Sequence, residues 1–369
     1  MKRILIAAVT VILLNVNCFA QNPTEELYRR FEIDKLSDVI PYQAEETAED
    51  MLDEKITFER IINLSPKQIK NLVIAKIKQS FTEYRKHLFS ILSAVFLSAV
   101  LSLTGETGKH TEVFDLICVL SITTLLLNPV LNCMQYSCDT IREISKFMLA
   151  YIPIYTSIMI SSGALGSAAA YQASVMAAAQ LFSQLAGKLF LPLMQGYLLI
   201  TLSGCISNNK GIKSIASAIK KTVNWGLIFT TTAFTGILSI QSIISSSADS
   251  AAAKTVKFLA GSFVPIIGGA FSDALSALQG SVRIIKASVG GFGIAVIILT
   301  FLPLLVRIAV LRCVLWLAKT AGELLTAEQC SVILTSFENV LSVIAALLAA
   351  AMMIFLISTA IMLNSAVNL

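Results

Sequence analysis

Long apolar stretches, each about 17–23 residues in length, recur through most of this chain and constrain its fold more than any other feature. A helix needs about 20 mainly apolar residues to cross the hydrocarbon core of a bilayer. Of the 369 residues, 56% are hydrophobic and 14% are charged, whereas soluble domains carry about 25% charged residues. The sequence therefore predicts an all-α, polytopic helical membrane protein with about six to eight transmembrane helices.

The beginning of the chain has the three parts of a secretory signal peptide. Lys2 and Arg3 precede an apolar core, Ile4–Val16. The small residues of Cys18-Phe19-Ala20 then indicate a cleavage site after Ala20. We expect a signal peptide over residues 1–20. The alternative is that the same stretch remains uncleaved as a first membrane anchor.

The next segment, residues 21–86, reverses its charge along its length. Residues 21–65 contain twelve acidic and five basic residues, whereas residues 66–86 contain six basic residues and one acidic residue. Apolar residues repeat at helical spacing, and Ser65-Pro66 is a typical helix start. We expect an extracytoplasmic helical segment whose basic end contacts lipid headgroups. No nucleic-acid-binding fold accompanies the basic residues, so a nucleic-acid partner is not indicated.

The remaining residues, 87–369, form the predicted multi-pass membrane domain, and its orientation stays open. A cleaved signal peptide would place the basic residues 67–86 outside, against the tendency of basic residues to stay in the cytoplasm. The basic connector at residues 210–221 is cytoplasmic if residues 165–186 cross the membrane.

Residues 258–290 interrupt the apolar pattern. Pro265 and two adjacent glycines break an apolar segment that is too short to span a bilayer alone. The following stretch, Phe271–Ser288, has helical periodicity with one polar face. Two interpretations remain: a broken half-span that lines a conduit, or an interfacial helix that contacts headgroups. The candidate conduit or interaction residues are Pro265, Gly268, Gly269, Asp273, Arg283 and Lys286.

Small residues recur every fourth position in an Ala- and Ser-rich stretch, at Gly166, Ala170, Ser174 and Ala178. This spacing places them on one helix face, where small side chains let two helices approach closely in lipid. The face predicts helix packing, either within the chain or between subunits.

Signatures of catalysis and of cofactor binding are absent from the sequence. The chain contains two histidines, His87 and His110, and seven scattered cysteines. None of them has the spacing of a metal site or a catalytic triad. The sequence also lacks a P-loop and a dinucleotide-binding fingerprint. It therefore predicts no enzyme, no cofactor and no metal.

Several short motifs resemble the C-terminal half of the stage III sporulation protein AE family. They are Ala248-Asp249-Ser250, Lys254-Thr255, Gly261–Gly268, Ser272-Asp273-Ala274, Lys286 and Pro303. The signal peptide, the N-terminal segment and the multiple spans also resemble the layout of that family. Arg283 departs from it, because family members usually have an uncharged run at this position.

The resemblance implies a role in spore formation, as a multi-pass component of a channel or secretion-like complex that links mother cell and forespore. It implies other membrane subunits, a separate ATPase and a forespore-side membrane partner. It also implies a location in the mother-cell membrane around the forespore. The alternative is an autonomous small-molecule transporter or exporter. Such transporters usually contain paired broken helices in internal repeats, and this sequence has one strong break, at Pro265–Gly269.

Overall fold

The computed structural model describes residues 29–31, 33–52, 58–62, 66–104, 110–207, 210–263, 268–325 and 328–364. Nearly all of these residues are helical, and no β-strand occurs among them. The predicted all-α fold class is therefore confirmed. The predicted signal peptide, its cleavage site and Pro265 lie outside the described residues.

The helices are numbered in chain order, after a short 3-10 helix at Ile33–Val39. They are α1 (Tyr42–Leu52), α2 (Phe58–Ile62), α3 (Pro66–Thr104), α4 (His110–Ser161), α5 (Leu165–Gln184), α6 (Leu191–Ser207), α7 (Lys210–Phe263), α8 (Gly268–Leu324) and α9 (Glu328–Asn364). A π-helical turn, Leu185–Phe190, joins α5 to α6.

Several helices are much longer than the spans predicted from the sequence. α4 has 52 residues and joins the predicted second and third spans into one helix. The polar residues 135–146 between those spans contain no Gly or Pro, so nothing in this linker stops the helix. α8 has 57 residues and joins the predicted amphipathic helix Phe271–Ser288 to the span that follows it.

The described residues contain five helical stretches that are long and apolar enough to cross a membrane. They are Leu116–Ser161, Leu165–Gly204, Ser214–Ile244, Gly280–Leu324 and Cys330–Leu363. This number is below the predicted six to eight because predicted neighbours have merged into continuous helices. The predicted first span, Leu88–Thr104, forms the second half of α3 and is not one of the five.

α8 and α9 pack against each other and form the centre of the helical bundle. α3 and α4 cover α8, while α4, α6 and α7 cover α9, and α5 packs between α4 and α7. α7 is the most peripheral span. Of its most apolar stretch 11% is buried, compared with 50% for α9. The N-terminal helices α1 and α2 both pack on α8, so the predicted N-terminal segment contacts the membrane domain directly.

Aromatic rings of α4 pack closely on glycines of α8. The rings of Tyr151 and Tyr155 are 5.6 Å apart, and the Tyr151 hydroxyl donates to the carbonyl oxygen of Val289 at 3.1 Å. A Cβ atom at Gly293 would lie 2.5 Å from that hydroxyl oxygen. Glycine at this position therefore lets α4 and α8 approach each other.

Candidate functional site

The predicted small-residue face lies at the start of α5, where a side chain from α7 caps the helix. The turn before α5 contains Gly163, whose φ of 89° is readily adopted only by glycine. The carboxylate of Asp249 then accepts hydrogen bonds from the backbone N–H groups of Gly166 at 2.9 Å and Ser167 at 3.0 Å. A negative charge at these free N–H groups stabilises a helix N-terminus. Asp249 thereby ties the second half of α7 to the beginning of α5.

One helical turn further along, a glutamine from α7 continues this contact. The side-chain amide of Gln241 donates to the carbonyl oxygen of Ala170 at 2.9 Å, and its oxygen accepts from the Ser174 hydroxyl. Ala178 is fully buried, and Phe182 meets Phe234 edge to face at 6.2 Å. The small-residue face therefore packs within the chain, against α7.

The predicted conduit residues are divided between different environments. Gly268 and Gly269 begin α8, and residues 264–267, which include Pro265, lie outside the described part. Asp273 lies in the first turns of α8, at a position whose side chain is outside the described part.

Lys286 does not lie on the exposed polar face that the sequence predicted. Its side chain is 2% exposed, and it packs on the side of α8 that also buries Val282 and Ile285. Arg283, one turn earlier, is exposed, and so is Ile284. The sequence analysis placed Lys286 on the polar face with Arg283, but Lys286 lies four residues after Val282 and three before Val289, so helix geometry places it on their buried side. Within the described residues, the Lys286 Nζ atom has no hydrogen-bond partner.

A polar cluster that the sequence analysis did not predict lies between α3 and α8. Arg307 Nη2 is 2.6 Å from Glu83 Oε1, and Arg307 Nε donates to the Tyr84 hydroxyl at 2.9 Å. The guanidinium carbon also lies 5.9 Å from the centroid of the Tyr84 ring, within range of a cation–π contact. Burial is the main cause that raises the pKa of the Tyr84 hydroxyl above its ordinary value.

This cluster borders a polar cavity of about 140 Å³ between α1, α3, α4 and α8. Pro303 lies in its wall and lacks the N–H that would bond to the carbonyl of Leu299. The cavity is large enough for several water molecules or a small polar group. Its lining residues are Gln43, Glu46, Thr47, Lys76, Gln79, Ser80, Glu83, Tyr136, Thr140, Thr300, Pro303, Leu304 and Arg307.

Sequence reasoning missed this cavity for a physical reason. Arg307 and Glu83 are 224 positions apart, and Glu83 belongs to the segment that the sequence analysis separated from the membrane domain. The only available signal was the presence of an arginine inside an apolar span, which marks a functional candidate by default. In the described part of the chain, no cluster of three or more side chains could hold a metal ion.

Comparison with known proteins connects this architecture to a family. The family model described as "Stage III sporulation protein AE (spore_III_AE)" matches residues 47–366. Stage III sporulation protein AE of Bacillus subtilis (strain 168) is 23% identical over 211 residues, which is 57% of this chain and 52% of that relative. The match therefore spans about half the length of this curated relative. No solved structure matches the chain. Since the family model covers α3 to α9 and most of α1, this chain belongs to the stage III sporulation protein AE family.

Proposed function

We propose that this sporulation protein is a structural or conduit subunit of a multi-protein channel or secretion-like complex between mother cell and forespore. Family membership supports the sporulation role, and five apolar helices support a membrane protein. The complex would contain other membrane subunits and a forespore-side membrane partner. The protein would lie in the mother-cell membrane that surrounds the forespore.

The observation that carries this proposal is the polar cavity at Arg307. Its wall is built from the N-terminal helix α1 and from three long helices of the bundle, α3, α4 and α8. Arg307 lies inside a candidate membrane span and is paired with both Glu83 and Tyr84, while the side chains of Arg307 and Glu83 remain 36% and 48% exposed at the cavity. An ionisable residue inside a candidate span, as Arg307 is, typically marks a path for polar solutes or ions. It could equally mark a point of contact with another subunit.

The protein would depend on a separate ATPase for energy. Its sequence contains no nucleotide-binding motif, and among the described residues no cluster of side chains could hold a metal ion. A passive structural or conduit role fits these observations. An autonomous transporter is the competing function, because a polar cavity among long apolar helices could also hold a small solute.

The experiment is a comparison of two cavity variants with one control in sporulating cells. Arg307→Ala and Glu83→Ala should lower the yield of heat-resistant spores while the protein level in the membrane stays constant. Lys319→Ala is the control, because Lys319 pairs with Glu323 at 3.8 Å on the surface of the same helix, away from the cavity. Normal spore yield in both cavity variants would contradict the proposal. Solute uptake by the purified protein alone in liposomes would instead support the autonomous transporter.

A further inference from the structure

The first half of α3 carries an outer face that combines basic and large apolar side chains. Its members follow one another at intervals of one to four residues on one side of the helix. We name this the basic–apolar face, and it consists of Lys67, Lys70, Ile74, Ile77, Lys78, Phe81 and Arg85. Ile74, Ile77 and Phe81 are 53%, 44% and 50% exposed. The four basic residues are exposed as well, so no other described part of the chain covers this face.

Acidic side chains lie on the opposite, inner side of α3, which faces α1 and α8. Glu83 faces α8, where it pairs with Arg307, and Lys76 reaches Asp50 of α1 at 2.8 Å. Leu72 and Ser80, which are buried, lie on this inner side too. The basic–apolar face itself contains four positive charges and no acidic residue. Its charge therefore calls for an anionic partner.

The direction of α3 decides between a membrane and a protein as that partner. Residues 76–83 of α3 and residues 300–307 of α8 line the same cavity side by side, so the two helices run alongside each other. α8 contains a candidate membrane span, whereas a helix that binds a membrane surface lies in the plane of the membrane. A bilayer surface could contact one end of the basic–apolar face, but a second helix can cover all of it.

We propose that the basic–apolar face of α3 binds an acidic amphipathic helix of another subunit of the sporulation complex. The partner would place apolar residues against Ile74, Ile77 and Phe81, at the spacing by which helices recognise a groove or ridge. Its carboxylates would pair with the flanking lysines and Arg85. This inference rests on the proposed function, because it assumes that the chain works within a complex.

The first experiment uses the photo-crosslinking residue p-benzoylphenylalanine in the full-length protein in sporulating cells. It replaces Phe81 in one variant and Phe96 in a matched control, since Phe96 is 60% exposed on the apolar half of the same helix. Position 81 should crosslink to a peptide with apolar residues at helical spacing and acidic neighbours. Position 96 should not crosslink to that peptide.

The second experiment reverses charges and then restores them. Lys78→Glu with Arg85→Glu should abolish the crosslink from position 81. The matched control, Lys188→Glu with Lys221→Glu, changes two exposed lysines on other elements and should leave the crosslink intact. Changing acidic residues of the crosslinked peptide to lysine should restore the crosslink to the first variant.

Four results would overturn this inference: a crosslink to residues 21–28 of the same chain, a crosslink to phospholipid, no adduct at position 81, or a crosslink that survives charge reversal. Co-purification separates this failure from a failure of the proposed function. If the parent protein co-purifies with other sporulation membrane proteins but charge reversal has no effect, the docking face alone is wrong. If the parent co-purifies with none of them, the proposed function is wrong.

Discussion

Gly293 marks a close approach between α4 and α8. The Tyr151 ring leaves no room for a side chain there, because a Cβ atom would lie 2.6 Å from its Cζ carbon as well as 2.5 Å from its hydroxyl oxygen. Gly291, two residues earlier, has nothing within 4 Å of its own Cβ position. A glycine-to-alanine substitution therefore meets a crowded site at Gly293 and an open site at Gly291.

We expect Gly293→Ala to lower the free energy of unfolding by about 1–3 kcal/mol, the usual cost of overpacking a core. Gly291→Ala should be neutral or stabilise the helix by up to about 1 kcal/mol, since alanine favours helices. Unfolding of the purified protein in detergent would measure both effects. Tyr151→Phe should recover part of the loss in the Gly293→Ala variant, because it removes the nearest atom. Equal stability of the two alanine variants would contradict the close approach.

Asp249 illustrates how one side chain can join two helices. Asp249→Ala should cost about 1–2 kcal/mol of stability, the typical loss for a helix cap, because it leaves the N–H groups of Gly166 and Ser167 without this acceptor. Asp249→Asn should lose less, since it retains one acceptor oxygen. Ser247→Ala, at an exposed position on the same helix, should not change the melting temperature. An unchanged melting temperature in the alanine variant would show that the cap contributes little.

At the scale of helices, the contact between α5 and α7 depends on small side chains. Ala170→Leu should push the two helices apart, because it enlarges the partly buried side chain of the residue whose carbonyl oxygen accepts from Gln241 of α7, and should cost about 1–3 kcal/mol. Ala173→Leu is the matched control, since Ala173 is exposed on the same helix. Thermal unfolding would measure the difference. If Ala170→Leu instead keeps its stability but loses partner proteins, the small-residue face contacts another subunit.

The packing of α5 could be predicted from the sequence in part. The spacing of Gly166, Ala170, Ser174 and Ala178 indicated a face for close approach, but it contained no information about which helix covers that face. The partners in α7 are 67 to 83 positions away, and a single sequence gives no signal for such pairs. Lys286 was assigned to the wrong side of α8 for a different reason, because its spacing of four from Val282 and three from Val289 already places it on their face. Helical periodicity indicates faces but not the number of neighbours.

At the scale of the molecule, the helices are too long for one bilayer. The apolar part of α4 has 46 residues, about 69 Å of helix, whereas the hydrocarbon core is about 30 Å thick. The helix is continuous, but two exposed ion pairs interrupt its apolar sequence near the middle, at Asp139–Arg142 and Glu143–Lys146. Composition could predict the apolar class, but it could not predict that polar linkers continue as helix.

We expect only one half of α4 to be embedded in lipid. Leu120 and Ile160 are 47% and 48% exposed near opposite ends of the helix. In a variant without the native cysteines, a water-soluble maleimide should label a cysteine at Lys146 and at one of these two positions, and should spare the other. The membrane vesicles must be opened so that the reagent reaches both sides. Protection of all three positions would contradict a bundle that extends out of the bilayer.

The continuity of α8 also restricts how the family can vary in length. This helix packs against α3, α4 and α9, and each inserted residue would rotate every later side chain by about 100°. A single insertion would turn Arg307 away from Glu83 and would expose the face that now packs on α9. Insertions and deletions among relatives should therefore collect between the helices, at positions 105–109, 208–209 and 326–327. Within α8 they should come in steps of about seven residues, which restore the phase of the helix.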